Sequence, residues 1–459
     1  MGGPRHGGAA PASPPGDTES VGDRGDRGDR GDLDVPGAAG GVDGARRSLG
    51  SDAAVAEAFL HSAVGGAGGG ARPGSGTAPT RRRARFHTLA VAEVRRLTPD
   101  AVEVTFEVPP ELADEYDYLP GQYVALRAEL EGHERRRSYS LCRPPQRPAE
   151  GVPGQISIAV KRDLGGLFSS WVNTELRAGD RLDVMSPQGT FTSSLETLGG
   201  MRATNALDGL GGKRIAGIAA GSGITPLMAL ARAVLERSST AEFELVYTNR
   251  STQDVMFLEE LADLKDRYPA RLALHHVLTR EQRTAPLLSG RIDHERLERI
   301  LDVLIRPETV DEWFLCGPLD LVQLARDTLA ERGVPAARVR YELFTTDADR
   351  VEPRSARPVV VSEGEQTVEI EFTLDGQTSK VESPVVANES ILNAALRVRP
   401  DVPFACAGGV CGTCRARLVA GSVHMTENFA LESDELEAGY VLTCQSHPTS
   451  DRVEVTYDA

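Results

Sequence analysis

Between Val102 and Val184 the apolar positions fall in short alternating or clustered runs. Val102–Val108, Tyr123–Leu126, Ile156–Val160 and Arg181–Val184 gather β-formers between Gly/Pro turns. That spacing predicts an antiparallel barrel over about 84–198. After about Lys213 the period changes. Ile215–Ala220, Phe243–Tyr247, Leu272–Val277 and Trp313–Leu315 read as strands, separated by helical stretches at Pro226–Glu236, Phe257–Arg267 and Leu319–Arg332. In the first stretch Leu227, Leu230, Ala231 and Leu235 share one face. Strands alternating with helices predict a parallel, doubly wound α/β domain over 211–346. A polar stretch at 347–358 reads as a linker to a last section, 359–459.

Residues 1–80 follow neither pattern. They hold 21 of the 47 glycines and one aromatic residue, Phe59. So few apolar groups cannot offset chain entropy, so a low-complexity, disordered leader is expected. Arg-Gly-Asp occurs three times between Arg24 and Asp32. An adhesion role would need secretion, and the start shows no basic region followed by an apolar core. Linker is the plainer reading. A short helix over Ser51–Val64, with Val55, Phe59 and Leu60 on a face, would lie within this leader. The Arg81–Arg85 run reads as a solvated lead-in to the first strand.

Charge narrows the function. With 51 Lys+Arg against 67 Asp+Glu the net charge is −16. Nucleic acid is a poor partner for such a chain, since phosphate binding needs clustered cations. The 101 residues from Val359 carry 16 acids and 6 bases, a net of −10. The longest uncharged apolar run, Ile215–Ala231, is broken by glycines and a proline and is shorter than the ~20 residues of a membrane span. No membrane partner and a cytoplasmic location are expected.

Four of six cysteines crowd into the C-terminal section. Cys406, Cys411, Cys414 and Cys444 have the spacing of a plant-type [2Fe–2S] site, three thiolates on one loop and a distant fourth. Gly408, Gly409 and Gly412 leave room for backbone N–H groups to approach the sulfurs. Zinc is the alternative, though it usually takes two short cysteine pairs. Cys142 and Cys316 stand alone in apolar surroundings.

Strand Ile215–Ala220 runs into Gly221, Ser222, Gly223, Ile224, Thr225 and Pro226, and then a helix with Pro226 in its first position. The glycines let the backbone close on a pyrophosphate, and the helix N-terminus offers free N–H groups. The second strand ends at Asn249 and Arg250, where a nucleotide-specificity residue usually sits. Arg250, with no immediate carboxylate, would suit a 2′-phosphate and hence NADP(H). An exposed loop arginine is the alternative.

Arg137, Ser138, Tyr139 and Ser140, followed by Gly165, Gly166, Leu167, Phe168 and Ser169, lie in a barrel ahead of a dinucleotide fold. Together they resemble the ferredoxin–NADP reductase superfamily. The resemblance implies that the first group holds FAD phosphate and isoalloxazine, and that the second opens a helix under the pyrophosphate. It extends to Cys316, Gly317 and Pro318 and to Tyr341–Phe344. By analogy Ser140, Cys316 and Glu342 would surround the hydride-transfer site, with Gly317 and Pro318 beside the nucleotide. From Arg85 onward the order of sections, with the Pro403–Cys414 and Met425–Gln445 stretches, is similar to the reductase subunits of bacterial phenylacetyl-CoA epoxidases. That implies a C-terminal α+β β-grasp ferredoxin domain and electron flow from NADPH through FAD and the cluster to a di-iron oxygenase, in phenylacetate degradation. A ring-hydroxylating dioxygenase reductase with FMN and NADH is the second expectation. A passive ferredoxin-type carrier is the third.

Overall fold

The computed structural model describes residues 84–145, 153–193, 212–344, 364–431 and 433–459. The expectations about the leader, the linker 347–358 and the outer ends of the first two domain ranges lie outside the described residues.

The first sheet comprises β1 (Phe86–Thr98), β2 (Ala101–Val108), β3 (Tyr123–Leu130), β4 (His133–Ser140), β5 (Gly154–Lys161) and β6 (Arg181–Met185). Their order is β4-β3-β6-β1-β2-β5, and the pairs are antiparallel. A bridge from Leu141 to Ile158 joins the two outer strands and closes the barrel. Val104, Phe106, Leu126, Ile158 and Val160 fill it. Strand β4 escapes the hydrophobic pattern because its residues are mostly charged and only Arg136 and Ser140 are buried. Helix α1 (Leu167–Thr174) follows β5 and inserts Phe168 and Val172 under the barrel.

The second sheet contains β7 (Arg214–Ala220), β8 (Glu242–Asn249), β9 (Leu272–Leu278), β10 (Glu312–Gly317) and β11 (Val339–Leu343), all parallel, in the order β11-β10-β7-β8-β9. Helices α2 (Ile224–Arg237), α3 (Leu258–Arg267), α4 (His294–Val303) and α5 (Leu319–Glu331) connect the strands. The chain reverses its direction of sheet building between β7 and β10. A crevice opens at the carboxyl ends of strands at such a switch point.

The third sheet is mixed. It uses β12 (Thr367–Leu374), β13 (Gln377–Pro384), β14 (Arg415–Ala420), β16 (Tyr440–Leu442) and β18 (Arg452–Thr456), in the order β13-β12-β18-β14-β16. Strand β12 alternates strictly, with Val368, Ile370, Phe372 and Leu374 buried. Helix α6 (Ile391–Leu396), capped by Ser390, packs Ile391, Leu392, Ala394 and Ala395 into the same core, giving a β-grasp. A hairpin-like pair, β15 (Val423–Met425) with β17 (Ser446–Pro448), and the short α7 (Ser433–Glu437) complete it.

Charged seams join the parts. Arg95 of β1 bridges Glu103 of β2 and Glu260 of α3, tying the barrel to the second domain. Among the described residues no helix is long and apolar enough to cross a membrane.

Candidate functional site

A cleft of about 630 Å³ lies where all three sheets meet. The barrel lines it with Tyr123, Ser138, Tyr139 and Ser140. The second domain contributes Gly221, Ser222, Thr225, Asn249, Arg250, Gly317, Pro318 and Glu342, and the third contributes Cys406, Val410 and Cys411.

Pairing of β3 with β4 sets the barrel wall. Tyr123 lies opposite Ser140, and Ala125 opposite Ser138. Among the described residues Ser138 Oγ is buried without a hydrogen-bond partner, so the wall presents a polar atom to the cleft. Tyr139 leans on Phe168 of α1, with ring centroids 6.2 Å apart, which couples the two barrel motifs. The Arg137 guanidinium donates to the Arg136 carbonyl at 2.9 Å. Gly165 takes a positive φ of 79° and Gly166 is the N-cap of α1. Ser169 Oγ is spent inside this turn, accepting from the Asp163 N–H at 3.1 Å and donating to the Gly166 carbonyl. Gly165, Gly166, Ser169 and Arg137 are not among the residues that line the cleft.

The glycine loop differs from its expected form. Gly221–Gly223 make a 3-10 turn and α2 begins at Ile224, so Pro226 is the third helical residue rather than the first. It is still tolerated there, because N–H groups of the first turn lack helical partners. A side chain at Gly223 would collide with the Cys316 carbonyl oxygen, so the loop and β10 approach as only glycine allows. Tyr247 Oη donates to the Gly221 carbonyl at 2.9 Å, and Thr225 Oγ1 to the Ser222 carbonyl at 2.9 Å. These bonds use carbonyl oxygens, so they do not consume the N–H groups of the helix's first turn, the donors an anion would meet.

Asn249 is 6% exposed at the cleft wall, and among the described residues its amide makes no hydrogen bond of normal geometry, with Tyr247 a polar neighbour. Such a group at a cleft wall fits a ligand that would complete it. Arg250 corrects the sequence reading. Its guanidinium pairs with Asp254, four residues on, and with Asp100 of the barrel at 3.2 Å. One carboxylate thus comes from Arg250's own loop and the other from the barrel.

At the base of the cleft Ser140 Oγ donates to Glu342 Oε2 at 2.9 Å. Removal from water raises the Glu342 pKa to about 7; the serine hydrogen bond opposes the shift and the Cys411 sulfur adds to it. Cys316 stands opposite Glu342 in the β10–β11 register. Its thiol is wholly buried in the second domain's core, and burial pushes its pKa well up. The structure thus brings Ser140 and Glu342 together, whereas Cys316 reaches the cleft only through its neighbours Gly317 and Pro318. Cys142 is buried in a hydrophobic cluster, as its apolar surroundings in the sequence suggest, and its sulfur also lies 3.7 Å from Glu103 Oε1, beside the Arg143–Glu103 ion pair.

The four clustered cysteines fit a two-iron site. Cys406 and Cys411 face one another within hydrogen-bond reach, and Cys444 meets Cys414 in the same way. A single tetrahedral zinc would bring all four sulfurs within about 3.8 Å of each other. Among the described residues no three of these sulfurs lie mutually within 4.8 Å, as a single tetrahedral zinc would require. Cys406 Sγ accepts from the N–H groups of Gly408 at 3.4 Å and Cys411 at 3.3 Å. With the Cys411 thiol, which contributes most, they lower its pKa to about 7. Backbone donors of this kind favour the thiolate a metal needs. Arg136, sandwiched on Phe404 at 4.2 Å and Phe86 at 5.2 Å, clamps this section to the barrel two residues before the first ligand.

Sequence reading missed Tyr123, Lys161 and Arg291, which also line the cleft. The one local signal was the tight turn at Gly121, φ 99°, just before Tyr123.

Comparison with known proteins agrees with this geometry. The family descriptions that match are an oxidoreductase FAD-binding domain over 88–193, an oxidoreductase NAD-binding domain over 218–327 and a 2Fe-2S iron-sulfur cluster binding domain over 372–449. The chain is 41% identical to a component of the 1,2-phenylacetyl-CoA epoxidase of Escherichia coli, covering 82% of this chain and 98% of the relative. It is 35% identical to the 3-ketosteroid-9-alpha-monooxygenase ferredoxin reductase component of Mycobacterium tuberculosis, over 81% and 95% of the two chains. Identity to the glycine betaine monooxygenase reductase subunit of Pseudomonas aeruginosa is 30%, over 73% and 86%. The protein is therefore an NAD(P)H-dependent oxidoreductase with FAD, NAD and [2Fe–2S] domains, and it belongs to the reductase family that includes this phenylacetyl-CoA epoxidase component.

Proposed function

We propose that the chain passes electrons from NADPH through FAD and the [2Fe–2S] cluster to a di-iron oxygenase that epoxidises phenylacetyl-CoA. The domain ranges would be 84–198, 211–346 and 359–459. The single observation that carries the reading is the shared cleft, where the flavin-type wall, the nucleotide loop and two of the four cysteines line one cavity. Its partner assignment rests on the 41% identity to an epoxidase component. When bound, the groups supply the redox chemistry, taking electrons in pairs from the nicotinamide and releasing them singly.

The chain's own share is binding, orientation and proton control. Ser138, Tyr139 and Ser140 would hold the flavin ring, with Arg137 at its phosphate and Gly165, Gly166 and Ser169 shaping the turn beneath. Gly221, Ser222, Gly223, Thr225 and Pro226 would cradle the nucleotide pyrophosphate, with Asn249, Gly317 and Pro318 completing that wall. Cys406, Cys411, Cys414 and Cys444 would hold the irons. Glu342, poised near neutrality, keeps a proton at the Ser140 hydrogen bond, and the buried Cys316 shapes the strand end behind it.

NADPH requires Arg250 to exchange Asp254 or Asp100 for the 2′-phosphate. Those two ion pairs favour a second reading, in which NADH is the donor, as in dioxygenase reductases using FMN. Extraction of the flavin and parallel NADPH and NADH turnover separate the two. The acidic third section, with 16 acids to 6 bases, would dock on a basic face of the oxygenase, steering that weakens with salt. Pull-down of the native acceptor tests the pathway. Capture of a ring-hydroxylating oxygenase would overturn it.

A further inference from the structure

Besides Arg136, the barrel reaches the cluster loop through the side chain of Tyr123. Tyr123 is 4% exposed, and its Oη lies 2.6 Å from the Cys411 carbonyl oxygen and 2.6 Å from Thr413 Oγ1. Thr413 Oγ1 in turn lies 3.2 Å from Cys411 Sγ. Gly189 makes room for the ring, since a Cβ there would sit 2.9 Å from Tyr123 Cδ1. Tyr123 also stands opposite Ser140 in the β3–β4 register, so one cross-strand pair meets Glu342 on one side and the cluster loop on the other.

We infer that Tyr123 is a positioning residue for the cluster, fixing the Thr413 hydroxyl as a hydrogen-bond donor to the Cys411 sulfur. The inference rests on the proposed role of Cys411 as an iron ligand. A ligating thiolate has no proton to give, so the hydrogen in the Cys411–Thr413 contact must come from Thr413. The short Tyr123–Thr413 contact then needs the phenol's proton, which the Cys411 carbonyl also attracts. Shared between Thr413 Oγ1 and the Cys411 carbonyl, that single proton lets the phenol orient the threonine and anchor the loop backbone. Hydrogen bonds to cluster sulfurs help set the potential, so the barrel has a hand on the ferredoxin's redox poise.

The test uses the full chain with flavin and iron content measured first. In Tyr123→Phe the reduced-cluster EPR spectrum should change shape and its midpoint potential should fall. Flavin-to-cluster transfer should slow roughly tenfold. Thr413→Val should reproduce the cluster signature and Thr413→Ser should restore it, so the claim stays testable if Tyr123→Phe folds poorly. An unaltered EPR spectrum and potential in Tyr123→Phe, or in Thr413→Val, would overturn the inference. Wild-type protein that binds flavin but no iron would sink the underlying reading of Cys411 instead.

Discussion

The cluster loop and the loop after β8 both line the cleft, but different things hold them in place. Cys406, Cys411 and Cys414 lie within nine residues, and the chain's own N–H groups from Gly408 and Cys411 hold the first sulfur. Left-handed turns at Ala407, Gly409 and Gly412 are built into that segment. Arg250 takes one of its two carboxylates from its own loop and the other from Asp100, 150 residues earlier. Local geometry supplies the donors to the first cluster sulfur, while Tyr123 and Arg136 of the barrel brace the loop from outside. The nucleotide loop depends on a neighbouring domain, so its preference can be retuned by changes that never touch the cluster.

Removing a ligand separates the two regions most sharply. Cys414→Ser should cut reduction of one-electron protein acceptors by roughly a hundredfold while NAD(P)H still bleaches the flavin. Stopped-flow absorbance and acceptor turnover check it; loss of both activities would show that the cluster also holds the fold together.

A smaller effect is expected between the regions, at Glu342. Its folded pKa of about 7 stands above the usual 4.5, so the fold prefers the protonated acid. The stability this gives is complete below about 4.5 and is lost as pH rises through about 7, up to about 3 kcal/mol. Glu342→Gln cannot ionise. The variant's Tm should gain on wild type between pH 5 and pH 8, and parallel Tm curves would show that Glu342 is not shifted.

The smallest effect lies in the nucleotide loop. Asp254→Asn should loosen Arg250 and raise the NADPH-to-NADH ratio of kcat/KM by about two- to fivefold, the worth of an exposed ion pair. An unchanged ratio would remove Arg250 from nucleotide selection.

The same contrast explains what was legible in the sequence. The cysteine spacing and the Gly221–Gly223 loop are properties of neighbouring residues, so each is visible in the chain before folding. Strand β4 was not visible because its burial comes from Arg136 stacking on Phe86 and Phe404, not from an apolar stripe. The Arg250–Asp100 pair was not legible because Asp100 reaches the loop only in the folded chain, whereas Asp254 stands four residues on. Pro226 was placed two residues early in its helix, since a 3-10 turn blurs where the α-helix starts. Cys316 looked catalytic by motif, yet its backbone rather than its thiol meets the loop at Gly223.

Anaerobic reductive titration of the full chain with NADPH, followed by absorbance and EPR, tests the central claim most directly. The account predicts one flavin bleaching and one [2Fe–2S] cluster becoming EPR-active in the same titration. Bleached flavin beside a cluster that stays oxidised and EPR-silent would contradict a shared cleft that connects them.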